Sequence, residues 1–159
     1  MTKVVIPAGP KPEDALRLDS QVCFPLYAAS RMLTRAYQPF LDPLGITYPQ
    51  YIVMMILWED APCTVSHVGQ RAMLNTNTLT PLLKRLEQLG FIQRQRRATD
   101  ERVVEISLTK AGKNLQPKCA CIPSEMAQAS GLPPEKIVAL KQLLEEFLRT
   151  LVDTTASES

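Results

Sequence analysis

A chain of 159 residues with a formal charge of +2, 45% hydrophobic and 21% charged residues has the composition of a globular protein, which excludes wholesale disorder. Its length suits one domain, or one compact module with a dimerisation element. The opening MTKVVIPAGPKPED has too short an apolar run and too many prolines for a signal peptide, and no apolar stretch reaches the ~18 residues of a membrane span, so a cytoplasmic protein with no membrane partner is expected.

Residues 1–12 carry Pro7, Gly9, Pro10 and Pro12 and read as a flexible arm. From Glu13 the pattern turns helical. Leu16, Val22, Cys23, Leu26, Leu33, Tyr37, Phe40 and Leu41 recur at three- and four-residue steps, predicting a first helix, for dimerisation, over 13–45. Pro25 lies inside that helix or marks a kink. Thr47 is the expected N-cap of the apolar helix 49-PQYIVMMILWED-60, which Pro62 closes. Met54, Met55 and Trp58 in it read as core, or as the lining of a pocket for an apolar molecule.

Two short helical segments follow, 64-TVSHVGQRAML-74 and 75-NTNTLTPLLKRLEQLG-90, the second ending on Gly90. That is a helix-turn-helix outline. Pro81 requires the second helix to start near Thr78 or to be distorted, because an interior proline forfeits a backbone bond at ~3 kcal/mol. Segments 91-FIQRQRR-97 and 103-VVEISLT-109 read as strands joined by 98-ATDER-102, completing a winged-helix region over 46–112. Helix resumes in 110-KAGKNLQPKCACIPSEMAQAS-130, interrupted by Pro117 and Pro123. In 134-PEKIVALKQLLEEFLRTLVD-153, Ile137, Leu140, Leu144, Phe147 and Leu151 form an apolar stripe that needs a partner, for which a second copy of the chain suffices. Residues 113–153 are thus expected to dimerise, and 154–159 to form a disordered tail. The fold class expected is mainly α with a small β-hairpin wing.

The near-neutral total hides a basic segment. Between residues 71 and 97, six basic side chains and one acid, Glu87, leave a local charge of +5, suited to phosphate. Asn75, Thr76, Asn77, Thr78 and Thr80 open the second helix with side chains short enough to read base edges, and Lys84, Arg85, Arg94, Arg96 and Arg97 follow. At the wing tip Asp100 either pairs with a neighbouring guanidinium, leaving an arginine such as Arg102 free for a minor groove, or belongs to an ordinary charged turn. The alternative for the basic run is a solvated strand beside a merely capped helix. The ordered set of helix, helix, basic hairpin and dimer stripe favours double-stranded DNA, bound as a pseudo-palindrome by a homodimer.

Four cysteines (Cys23, Cys63, Cys119, Cys121) are expected to stay reduced, and Cys119-Ala-Cys121 lacks metal or redox spacing. With a single histidine, His67, no metal and no cofactor is expected; His67 and Cys63 read as structural, His67 with a possible phosphate contact. All four tyrosines (Tyr27, Tyr37, Tyr48, Tyr51) fall within 30 residues of Cys23. Cys23 is therefore either a small packed hydrophobe or a thiolate that accepts from phenols.

The order of these elements, with the segments TYPQY, TLTPLLKRLE and DER, resembles the MarR family of dimeric winged-helix regulators and, within it, the organic-hydroperoxide sensors called OhrR. The resemblance covers roughly Leu18 to Val152. It implies that Cys23 is the redox sensor, approached by Tyr37 and Tyr48 of a partner subunit, with Tyr27 nearby. Two hydrogen bonds to a charged acceptor, at ~1.5–3 kcal/mol each, are enough to lower a thiol's pKa by ~2 units. The resemblance further implies a DNA-binding repressor that releases its operator when organic hydroperoxide oxidises Cys23, in a stoichiometric reaction and not an enzymatic one. Two-cysteine members place a resolving cysteine after an Ile-Pro or Val-Pro step. Here 122-IPSEMAQASGL-132 has none, and Cys119 and Cys121 precede the step, leaving Cys121, Cys119 or a small cellular thiol as captor. The competing readings are a regulator released by an apolar or phenolic ligand with Cys23 incidental, and a thiol peroxidase.

Overall fold

The computed structural model describes residues 16–156, so the expected arm at 1–12 and the last residues of the expected tail, 157–159, lie outside them. The chain divides into two compact units between Tyr51 and Ile52.

The first unit opens with a 3-10 turn at Leu18–Ser20, followed by helix α1 (Cys23–Leu41), and a second 3-10 turn at Asp42–Leu44. Among the described residues the helix expected over 13–45 begins only at Cys23; its expected first residues, 13–15, lie outside them. Pro25 is the reason: a helix running through from residue 13 needs a residue-25 N–H to meet the Gln21 carbonyl, and proline has none. As the third helical residue Pro25 costs nothing, because first-turn N–H groups have no intrahelical acceptor. Gly45, with φ 72°, turns the chain in the left-handed region. Helix α2 (Tyr48–Asp60) starts in this unit. The Gln50 side chain accepts from the Thr47 backbone N–H at 2.8 Å, half of a capping box, and Gln50 is 5% exposed.

In the second unit, α2 leads to strand β1 (Cys63–Thr64), helix α3 (Val65–Ala72), helix α4 (Thr76–Gln88), and strands β2 (Ile92–Arg97) and β3 (Asp100–Leu108). The three strands described form an antiparallel sheet in the order β1-β3-β2, with Cys63 opposite Ile106 and Ile92 opposite Leu108. Strand β3 starts three residues before the expected 103 and pairs its Asp100 with Arg97 across the Ala98–Thr99 turn, with a bulge at Arg96/Arg97. Val53, Met54, Leu57, Val68, Leu83 and Leu86 are buried in this unit.

Helix α4 begins at Thr76, two residues before Thr78, so Pro81 lies inside it, the alternative to a start near Thr78. Asn75 caps it, accepting from Thr78 N at 2.9 Å, and the carbonyl that Pro81 leaves without a donor belongs to exposed Asn77. The expected helix over 110–130 is two helices, α5 (Lys110–Cys119) and α6 (Ile122–Ala129). Pro117 lies inside α5, whereas Pro123 opens α6, a position that tolerates proline. The last helix, α7, spans Pro134–Ala156 and so runs three residues past the expected end at 153.

Candidate sensor site and nucleic-acid face

The break that Pro25 imposes places Cys23 as the first residue of α1, exposed to solvent. One turn on, Tyr27 is 60% exposed and accepts a hydrogen bond from Arg31 Nη1 at 3.3 Å. The Arg31 guanidinium also lies 5.6 Å from the Tyr27 ring centroid. Tyr37 and Tyr48 meet with ring centroids 4.5 Å apart, and Tyr51 stands 5.9 Å from Tyr37. Burial pushes the Tyr37 phenol above its ordinary pKa; burial and then the neighbouring Tyr37 do the same for Tyr48. Both phenols therefore keep their protons at neutral pH and remain donors. The structure gathers Tyr37, Tyr48 and Tyr51, but none of the hydrogen bonds found among the described residues joins them to Cys23 of the same chain.

The remaining cysteines differ sharply. Cys119 closes α5 at 3% exposure, and burial, then neighbouring Cys121, pushes its thiol up. Cys121 is exposed in the turn before α6. Cys63 sits in β1, its thiol pushed up first by burial and then by Asp60 and Glu105. No group of three or more His, Cys, Asp or Glu side chains among the described residues is placed to hold a metal.

On α4, Leu79, Leu83 and Leu86 are buried and Leu82 is half-buried. Asn75, Thr76, Asn77, Thr78, Lys84 and Arg85 are exposed, and half-buried Thr80 turns its hydroxyl to the Thr76 carbonyl at 2.7 Å. One face of the helix packs while the other presents short polar groups and two cations. The basic segment is less uniformly free than its charge suggests. Arg94 binds Glu87 through Nε at 3.0 Å and Nη2 at 2.6 Å, while Arg94 N donates to the same carboxylate at 3.2 Å. Arg97 pairs with Glu105 at 2.9 Å, and Arg71 with Glu59 and Asp60. His67, read as structural, pairs with Asp60 at 2.7 Å; hydrogen bonds from Arg71 first and His67 second hold the Asp60 carboxyl below its ordinary range.

Among the described residues, Lys84, Arg85, Arg96 and Arg102 make no ion pair, and these cations stay available to an outside anion. At the wing tip Asp100 accepts from the Arg102 backbone N–H at 3.0 Å rather than from a guanidinium. The turn is thus held by the main chain, and the Arg102 side chain stays exposed beyond it. Between α3, α4 and β3 lies an open cleft of about 990 Å³, lined by Thr64, Gln70, Asn75, Thr80, Arg94 and Arg102 among others.

Sequence reasoning passed over two residues that set this face. Gly112 lets α5 approach the α4–β2 turn: a Cβ there would lie 2.0 Å from the Phe91 carbonyl oxygen, and the Gly112 carbonyl accepts from Trp58 Nε1 at 2.9 Å. Glu87, noted only as the lone acid of its segment, fixes Arg94. No single helix described is long and apolar enough to cross a membrane.

Residues 35–118 match the family described as transcriptional regulator SarA/Rot. The chain is 46% identical over 138 residues to an organic hydroperoxide resistance transcriptional regulator of Bacillus subtilis (strain 168), covering 87% of this chain and 94% of that one. It superposes on the structure of reduced AbfR bound to DNA with a TM-score of 0.73 at 37% identity, covering 89% of this chain and 99% of that one. AbfR is a Staphylococcus epidermidis protein. Its disulfide-formed structure gives a lower TM-score, 0.59, at 36% identity over 86% of this chain and 96% of that one. With these elements in this order, the chain belongs to the SarA/Rot transcriptional regulators, MarR-type winged-helix proteins, a family that also takes in the organic hydroperoxide resistance regulator of Bacillus subtilis.

Proposed function

We propose that the protein is a cytoplasmic, homodimeric repressor that holds a pseudo-palindromic operator while Cys23 is reduced and releases it when an organic hydroperoxide oxidises that thiol. The observation that carries the reading is the placement of Cys23: an exposed thiol at the first residue of a helix, with Tyr27 one turn away, in a chain 46% identical to an organic hydroperoxide resistance regulator. The thiolate attacks the terminal oxygen of the hydroperoxide, so an S–O bond forms as the O–O bond breaks. Sulfur loses two electrons, and the alkoxide takes a proton and leaves as the alcohol. Protonated Tyr37 and Tyr48, supplied by the partner subunit, donate to the sulfur. One oxidation per subunit suffices, so the chemistry is a switch rather than catalysis.

In this reading residues 13–45 and 113–153 form the dimer, and 46–112 bind DNA. Helix α4 enters the major groove with Asn75, Thr76, Asn77, Thr78 and Thr80 at its start, and the wing carries Arg102 to the flanking minor groove. Lys84, Arg85 and Arg96 neutralise phosphates, so affinity falls as salt rises. Arg94 and Arg97 act through their ion pairs, shaping the wing. The rival reading is release by an apolar or phenolic ligand, with Cys23 incidental.

Operator retention separates the two. The wild type bound to its operator should release it on one equivalent of cumene hydroperoxide per subunit, with intact mass showing one modified thiol. Cys23→Ser should bind DNA equally and never release it. Release of Cys23→Ser by peroxide would overturn the sensor assignment, and turnover of many equivalents by the wild type would mark a thiol peroxidase.

A further inference from the structure

We propose that Arg31 makes the sensor selective for hydroperoxides bearing a negative charge, the fatty-acid hydroperoxides, an inference that rests on Cys23 being the sensor. Cys23, Tyr27 and Arg31 recur every four residues on α1 and share one face of the helix. The Arg31 side chain is exposed, and its guanidinium folds back along the helix. Its hydrogen bond to Tyr27 Oη at 3.3 Å and its position 5.6 Å from the Tyr27 ring draw it back towards the helix N-terminus, where side chains already lean. From Tyr27 to Cys23 the remaining axial rise is only ~6 Å.

Nothing on the helix opposes this charge. The α1 sequence CFPLYAASRMLTRAYQPFL contains two arginines and no acid, and among the described residues neither arginine is ion-paired. A guanidinium carries five N–H donors, and one is engaged, by Tyr27. The Nε–Nη2 edge remains open to grip a carboxylate through two parallel bonds. Beside the thiol, Val22 at 68% and Phe24 at 41% exposure offer apolar surface. Apolar surface at the sulfur, with an exposed guanidinium drawn towards Tyr27 and unpaired among the described residues, fits an acyl chain whose peroxide meets Cys23 and whose carboxylate meets Arg31. The carboxylate takes no part in the bond changes, so Arg31 acts on capture and not on the O–O cleavage itself.

The test uses the purified homodimer and two probes of equal chain length, linoleic acid 13-hydroperoxide and its methyl ester, below micelle-forming concentration. The second-order rate of Cys23 oxidation is read by thiol trapping and intact mass. In the wild type the acid should react about tenfold faster than the ester, equivalent to ~1.4 kcal/mol. Arg31→Gln should bring the acid-to-ester ratio close to one. Arg31→Lys should keep part of it, since the charge survives and the fork does not, and 0.5 M salt should compress it in the wild type. A wild-type ratio of one, or an Arg31→Gln variant slowed equally with both probes, overturns the inference while leaving the sensor intact. Failure of both hydroperoxides to oxidise Cys23 overturns the sensor assignment and this inference with it.

Discussion

Glu87 shows how one side chain can decide what its neighbours are free to do. Its carboxylate takes three hydrogen bonds from Arg94, two from the guanidinium and one from the backbone, and so ties the end of α4 to the first turn of the wing strand. The guanidinium hydrogen bonds hold the Glu87 carboxyl below its ordinary range, with burial pulling the other way. Because the folded-state pKa is the lower one, the pair's contribution is complete above the unfolded value, ~4.3, and disappears as pH falls through the folded value. The side chains are 37% and 25% exposed, so solvent screening limits the contribution to about 1 kcal/mol at most. Thermal unfolding should therefore find Glu87→Gln less stable than wild type at pH 7, with the gap closing towards pH 3.5. A gap of the same size at both pH values would show that the loss is one of packing rather than charge.

Among the elements, the joint between α4, β2 and α5 is set by contacts that run far along the chain. Thr109 caps α5 by accepting from Gly112 N at 3.0 Å, and its hydroxyl lies 2.6 Å from the Gly90 carbonyl oxygen. Trp58 Nε1 closes the joint on the Gly112 carbonyl. A methyl group at position 112 would meet backbone and not a flexible side chain, so relief requires α5 to move. Overpacking of this kind costs ~1–3 kcal/mol or more. With about 2–4 °C per kcal/mol for a chain of this size, Gly112→Ala should lower Tm by ~2–12 °C; an unchanged Tm would mean that α5 yields freely. The glycine carried no signal in the sequence, because its neighbour Phe91 lies 21 positions back and nothing local demands it. Helix α4, by contrast, was legible from its polar opening and leucine spacing, and β3 from alternation. Strand β1 was not legible, since two residues show no period. The ion pairs that occupy Arg94 and Arg97 were equally hidden, because they depend on how strands and helix approach and not on composition. The gap between α5 and α6 was anticipated as an interruption, though at the prolines rather than at Ala120–Cys121.

For the whole molecule, the apolar residues left uncovered indicate what a single chain lacks. On α7, Leu140, Phe147 and Leu151 remain 48%, 40% and 47% exposed, the same stripe that the sequence set at near-heptad steps. In the proposed homodimer a second subunit covers this stripe and also offers a captor for the oxidised sulfur of Cys23. Of the two cysteines before the Ile122-Pro123 step, Cys119 is buried with its thiol pushed up, so it is poorly ionised and out of reach. Cys121 is exposed in a turn between two helices, where small backbone movements can carry it. Under the proposed sensing chemistry its sulfur attacks the sulfenic acid of the partner subunit's Cys23, forming an S–S bond and expelling water. The bond needs Cα atoms within ~7 Å, and under this proposal the helix shift that brings them there is what disengages α4 from DNA. Non-reducing electrophoresis after one equivalent of organic hydroperoxide should show a covalent dimer in the wild type and in Cys119→Ser. The dimer should be absent in Cys121→Ser and in Cys23→Ser. A covalent dimer that persists in Cys121→Ser and vanishes in Cys119→Ser would reverse the assignment. Monomer in every variant, with intact mass showing an added small thiol on Cys23 when one is supplied, would move capture to the cellular thiol pool and leave Cys121 idle.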